Sequence, residues 1–159
     1  MNKFKTLFLF ASMFTLSGCF GEGILQTKST YGLDETFKFD DLDLTFKSDF
    51  VYGTIDNEFS EHDGERTFGI PVLMKNYKDE PHSLNMFFYD CYGPNGSKVS
   101  NVSAFFPQGT SMDWGGNILS GATAIRYLYF RYTSEGEYCV ILDNYSKTIN
   151  VKFQVSYGN

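Results

Sequence analysis

Three cysteines, Cys19, Cys91 and Cys139, are the side chains best suited to nucleophilic or soft-metal chemistry, and two histidines, His62 and His82, are the bases that could serve them. A catalytic thiol needs an imidazole beside it to take its proton. Both histidines sit in polar, loop-like stretches whose spacing ties neither to a cysteine. The densest acidic run is Asp56, Glu58, Glu61, Asp63 and Glu65. Crowded carboxylates suit Ca²⁺, which takes roughly six to eight oxygen ligands, but this spacing does not match an EF-hand loop. No flanking motif supports a pair of glycosidase carboxylates either. The plain reading is a solvated acidic loop; the alternative is an envelope metal-binding protein or hydrolase built on residues 56–65. Between Phe105 and Gly116, Phe106, Met112 and the sole tryptophan, Trp114, are mixed with Gly, Pro and Ser. Aromatic loop side chains give large contact area with few rotors. Phe106, Met112 and Trp114 are therefore candidate partner contacts, unless Trp114 folds back as a plug at one end of the domain. Phosphate loops, nucleophile elbows, His-Glu-x-x-His and Cys-x-x-Cys patterns are missing, so no catalytic residue, metal or cofactor is implied.

The whole chain has 159 residues, with 13 Lys+Arg against 19 Asp+Glu, a formal charge of -6 and a pI near 4.8. A nucleic-acid binder needs clustered basic charge to displace counterions from phosphates, and this balance opposes it. Hydrophobic residues at 42% with 20% charged describe a chain that folds rather than one that stays disordered.

The first nineteen residues bear on location. Lys3 and Lys5 form a positive start, and Leu7 to Phe14 is an apolar run too short to span ~30 Å of hydrocarbon as a helix. Leu16-Ser17-Gly18-Cys19 closes the run and resembles the bacterial lipobox. The resemblance implies that residues 1–18 are a cleaved signal peptide and that the Cys19 thiol carries diacylglycerol. Two acyl chains would bury on the order of thirty methylenes at ~0.8 kcal/mol each, enough to make desorption negligible. Loss of Lys3 and Lys5 leaves a net charge of -8, which gives the domain as a whole no attraction to anionic headgroups. With Cys19 committed to lipid, Cys91 and Cys139 remain. Outside the cell thiols pair readily, and closing the loop between them would add ~4 kcal/mol in the chain-entropy model. Two buried free thiols are the other reading.

Residues 19–33 are rich in Gly, Ser and Thr and read as a lipidated N-terminus with a flexible tether. From Glu35 the pattern turns to period-two alternation, the mark of half-buried strands. Phe37 and Phe39, then Leu42, Leu44 and Phe46 after an Asp40-Asp41 turn, share faces; so do Phe68, Ile70, Val72 and Met74, and Ile149, Val151, Phe153 and Val155. Further strands are expected at 83–92, 98–105, 122–132 and 137–142, with Gly93-Pro94-Asn95-Gly96 as a hairpin turn. No 3.6-residue period appears beyond the signal peptide. Seven to eight short strands in residues 34–159 predict an all-β, antiparallel sandwich.

The strand ending Met74-Lys75-Asn76, the turn Lys78-Asp79-Glu80-Pro81, Ser83-Leu84, Asp90, Leu119-Ser120-Gly121-Ala122 and Tyr127-Leu128-Tyr129-Phe130 together resemble the telokin-like, immunoprotective-antigen type of immunoglobulin-like domain. That resemblance implies an immunoglobulin-like sandwich on a Gram-positive lipoprotein, with no established catalytic residues. The expected role is a non-catalytic binding module, monomeric, held to the outer face of the cell membrane by lipid and contacting a protein or cell-wall partner. Nucleic acid is not among the expected partners.

Overall fold

The computed structural model describes residues 28–55, 58–84, 89–99 and 116–157. Ten strands run through them: β1 (Thr30–Tyr31), β2 (Thr36–Phe39), β3 (Leu42–Phe46), β4 (Val51–Thr54), β5 (Arg66–Asn76), β6 (Tyr89–Tyr92), β7 (Lys98–Val99), β8 (Thr123–Arg131), β9 (Gly136–Asp143) and β10 (Thr148–Val155). They form two sheets. One has the order β1-β10-β9-β6-β7; the other has β2-β3-β5, with β4 and β8 also paired to β5. Because β8 follows β5 from Thr67 to Lys75, β3 and β4 share the opposite edge of β5 end to end. The fold is an all-β, immunoglobulin-like sandwich.

Alternation along the chain builds the interior. Phe68, Ile70, Val72 and Met74 of β5, and Ile149, Val151, Phe153 and Val155 of β10, turn inward and are buried. Phe37, Phe39, Leu42, Leu44 and Phe46 join them. Between the sheets the Phe68 ring meets Tyr138 edge-on at 5.0 Å, and Phe130 and Phe153 close around the pair. Offset and edge contacts of this kind add to the stability that burial of the rings already provides. Asp40 and Asp41 both take positive φ, at 46° and 67°, as a two-residue β2–β3 turn requires. Gly96 supplies the positive φ of 76° that closes the β6–β7 hairpin, where its N–H bonds to the Gly93 carbonyl.

Tyr138, at the start of β9, is fully buried, and its hydroxyl reaches back to the β8–β9 corner. It donates to the Ser134 carbonyl at 2.9 Å and accepts the Thr133 N–H at 2.9 Å. This is the tyrosine corner of immunoglobulin-like domains. On the outer face of the second sheet, Tyr129 lies over Gly69. A Cβ at Gly69 would stand 2.5 Å from Tyr129 Cε1 and 2.6 Å from Val51 Cγ2.

Two expectations change. The tether does not extend to residue 33: β1 pairs parallel with β10, Thr30 opposite Asn150 and Tyr31 opposite Val151. Nor do Cys91 and Cys139 form a disulfide; both are free. Cys91 lies opposite Val140 and Cys139 opposite Tyr92 on neighbouring antiparallel strands. One step of register apart, their side chains leave the sheet on opposite faces, Cys91 into the core and Cys139 outward, so the Cβ vectors diverge. Burial pushes both thiols above the ordinary range, and the Lys152 ammonium offsets part of this at Cys139.

Three outcomes test this description. Gly69→Ala should cost about 1–3 kcal/mol by overpacking Tyr129 and Val51, and Tyr138→Phe about 1–2 kcal/mol through the lost corner bonds, both read from denaturant midpoints. In the native protein a thiol reagent should modify Cys139 slowly and Cys91 only on unfolding. The Cys139 rate should keep climbing with pH beyond the usual thiol range, because its thiolate forms later. A mass two hydrogens short, with no labelling after unfolding, would refute the register.

Candidate functional site

Cys19, Phe106, Met112, Trp114 and Asp56 lie outside the described residues. The rest of the acidic run lies in the β4–β5 connection, where Glu65 turns toward a cation of the protein itself. Arg131 Nη1 stands 3.1 Å from Glu65 Oε2 and 3.0 Å from His62 Nδ1. His62 Nε2 is 3.4 Å from Glu61. His62 Nδ1 also stands 3.3 Å from Glu65 Oε1, so the imidazole, the guanidinium and the carboxylate form one cluster. Among the described residues no group of three His, Cys, Asp or Glu side chains could hold a metal ion. His82 Nε2 is buried 3.4 Å from Asp40 Oδ2 and makes no hydrogen bond within the described residues. Arg131 pairs with Glu65, one of the acids of this loop.

The strand directions divide the sandwich into two poles. At one, the acidic loop, the β8–β9 corner and the C-terminal Tyr157 come together. Tyr157 meets Tyr52 and Tyr132, each at 5.2 Å between centroids, and the Arg66 guanidinium lies 4.7 Å from its ring. The Tyr157 hydroxyl donates to the Gly53 carbonyl. These side chains are packed on one another, and the cation–π position is filled from within.

The other pole is where the chain enters. The Ser29 carbonyl accepts the Asn150 N–H, which places Lys28 and Ser29 beside the start of β10. Here the β2–β3 turn, the segment after β5, the loop before β8 and the β9–β10 turn converge. One buried side chain joins two of them: Asn76 Nδ2 donates to the carbonyls of Glu80 (2.8 Å) and Ile118 (2.9 Å), and Oδ1 accepts the Lys78 N–H. His82 and Ile118 exchange backbone bonds beside it. A cleft of about 540 Å³ opens between these segments, lined in part by Lys38, Asp41, Tyr77, Lys78, Asn144 and Lys147. Lys75 and Lys38 place their ammonium groups 4.5 Å and 5.3 Å from the Tyr77 ring centroid. Lys147 Nζ donates to the Lys38 carbonyl at 2.6 Å. The Asp41 carboxylate, bonded by Lys78, is held below the usual carboxylate range, and Lys78 is raised in return.

At this pole large apolar side chains face solvent: Tyr145 is 98% exposed, Leu119 64% and Tyr77, which lines the cleft, 55%. Tyr145 also adopts a φ of 67°, a conformation that Gly or Asn holds at less cost. Asn144 fixes the turn by accepting the N–H groups of Ser146 and Lys147 on its side-chain oxygen. Sequence reasoning missed this pole, since its residues come from four separated segments that only the sheet order brings together.

No protein-family model matches the chain, and no curated protein matches it in sequence. Solved structures do. The yjhA protein of Bacillus subtilis is 19% identical, with a TM-score of 0.57 over 77% of this chain and 98% of that one. The candidate lipoprotein ycdA of Bacillus subtilis is 14% identical, with a TM-score of 0.56 over 81% of this chain and 39% of its own length. The secreted protein MPT63 of Mycobacterium tuberculosis is 14% identical, with a TM-score of 0.54 over 82% and 99%. At these identities the likeness is one of fold: the chain is an immunoglobulin-like β-sandwich similar to those of a secreted and a candidate lipid-bearing protein.

Proposed function

We propose that the protein is a lipid-anchored module of the cell envelope, monomeric and non-catalytic, whose sandwich binds a protein or cell-wall partner outside the membrane. The observation that carries this reading is Leu16-Ser17-Gly18-Cys19 placed directly after a basic start and a short apolar run. Processing at that point makes Cys19 the first residue and its sulfur the site of acylation. Among the described residues no helix is long and apolar enough to cross a membrane. The secreted and candidate lipoprotein sandwiches of similar fold are in keeping with an extracytoplasmic place. The non-catalytic role is supported by the state of the groups that could react. Burial raises both described thiols above the ordinary range, so neither is a ready nucleophile.

The test is intact mass and detergent-phase partitioning of the native protein. The expected mass is that of residues 19–159 plus the acyl-glyceryl group, with the protein in the detergent phase. Cys19→Ala should leave the detergent phase or accumulate as the uncut precursor. A mature chain with an unmodified Cys19 would remove the anchor from the proposal.

A further inference from the structure

Asn95-Gly96 is the single Asn-Gly step in the chain, and the fold puts it at the tip of the β6–β7 hairpin. Residues 94–98 are all exposed. A Cβ at Gly96 would meet nothing within 4 Å, and the backbone there takes a φ of 76°. The Asn95 side chain is turned onto its own backbone: Oδ1 accepts the Ser97 N–H at 2.9 Å. An Asx turn of this kind curls the carboxamide over the peptide that joins Asn95 to Gly96, and its hydrogen bond draws electrons away from Cγ. A carboxamide folded toward a backbone nitrogen that has no side chain to shield it is set up to close a five-membered imide. The other described asparagines lack this combination. Asn76 is fully buried with its amide bonded. Asn117 precedes the β-branched Ile118, whose N–H is committed to the His82 carbonyl. Asn144 precedes Tyr145, whose N–H goes to Asp143 Oδ1, and Asn150 precedes Val151 inside β10. The Gly96 N–H is bonded too, to the Gly93 carbonyl at 2.9 Å. That bond, however, closes a hairpin with two described rungs, Cys91–Val99 and Tyr92–Lys98. An end so lightly held opens locally while the sandwich stays folded.

We propose that Asn95 is a self-modification site, converting through a cyclic imide to aspartate and isoaspartate with water as the co-reactant. When the turn opens, the Gly96 nitrogen gives its proton to solvent base and bonds to Asn95 Cγ. The Cγ–Nδ2 bond breaks, and Nδ2 leaves as ammonia. Water then opens the ring. Cleavage at Cγ leaves an ordinary chain with aspartate at position 95. Cleavage at the main-chain carbonyl carbon of residue 95 leaves the chain running through the side chain, as isoaspartate. Either product adds one negative charge to a chain that carries -6. The isoaspartate also inserts a methylene into the backbone between Gly93 and Gly96, which takes the bond between them out of register. The structural effect therefore falls on β7, whose described pairing to β6 depends on that turn.

The experiment is incubation of the native chain at neutral and mildly alkaline pH, beside an Asn95→Gln variant, with near-UV circular dichroism as the folding control. Samples are digested in mild acid, and mass spectrometry with fragmentation that separates isoaspartate from aspartate reads each asparagine. The longer glutamine side chain would have to close a six-membered ring, which forms far more slowly. Asn95 should convert ahead of every other asparagine, with isoaspartate exceeding aspartate several-fold, and the variant should stay intact at position 95. The rate should rise with pH, because the attacking nitrogen must lose its proton. Isoaspartate requires the imide, so aspartate alone at position 95 would overturn the route. Conversion of another asparagine ahead of Asn95 would overturn the assignment. So would an Asn95 that stays intact in the folded chain while the urea-unfolded chain converts.

Discussion

The buried side chain of Asn76 is the constraint on which the pole of entry depends. It stands at the end of the longest strand with no solvent exposure, and each polar atom of its carboxamide has a backbone partner. Burying an amide without such partners would cost several kcal/mol; with them, the amide joins two loops that, among the described residues, are paired only by the His82–Ile118 bridge. Lys78 and Tyr77 follow directly from it on one side, and Leu119 on the other. An apolar residue at this place could fill the volume but could not set the distance between the two loops.

Much of the sandwich was legible in the sequence because one-sided burial imposes period two. The inward sets on β2, β3, β5 and β10 are the residues whose alternation is cleanest, and Asp40-Asp41 and Asn95-Gly96 mark turns by their tolerance of positive φ. Elements with little alternation were not legible. β1 has two residues and borrows its partner from the far end of the chain, a parallel pairing that leaves no local signal. β4 includes Gly53 and packs its outer side against a second glycine strand position at Gly69, so its apolar pattern is faint.

The two thiols show a different limit. That Cys91 and Cys139 sit on strands could be read from the sequence, but whether they meet depends on register, and a shift of one residue moves a side chain to the other face. The candidate surface is subject to the same limit at larger scale. Composition reports one net charge for the whole chain, whereas the sheet order decides which lysines and which tyrosines become neighbours. The acidic run 56–65 is the converse case: its spacing gives no sign of the cation that strand register brings to Glu65 and His62, Arg131.

The parallel docking of β1 on β10 has a mechanical consequence. With the domain anchored as proposed, any tug between the bilayer and a bound partner would pass through Ser29, Thr30 and Tyr31 before it reached the rest of the sandwich. Because β1 runs along β10 from the pole of entry, that tension acts lengthwise, straining its few rungs together in shear instead of unzipping them singly. A two-residue strand is thus placed where pulling is hardest to accommodate and is loaded in the direction in which so short a ladder resists best.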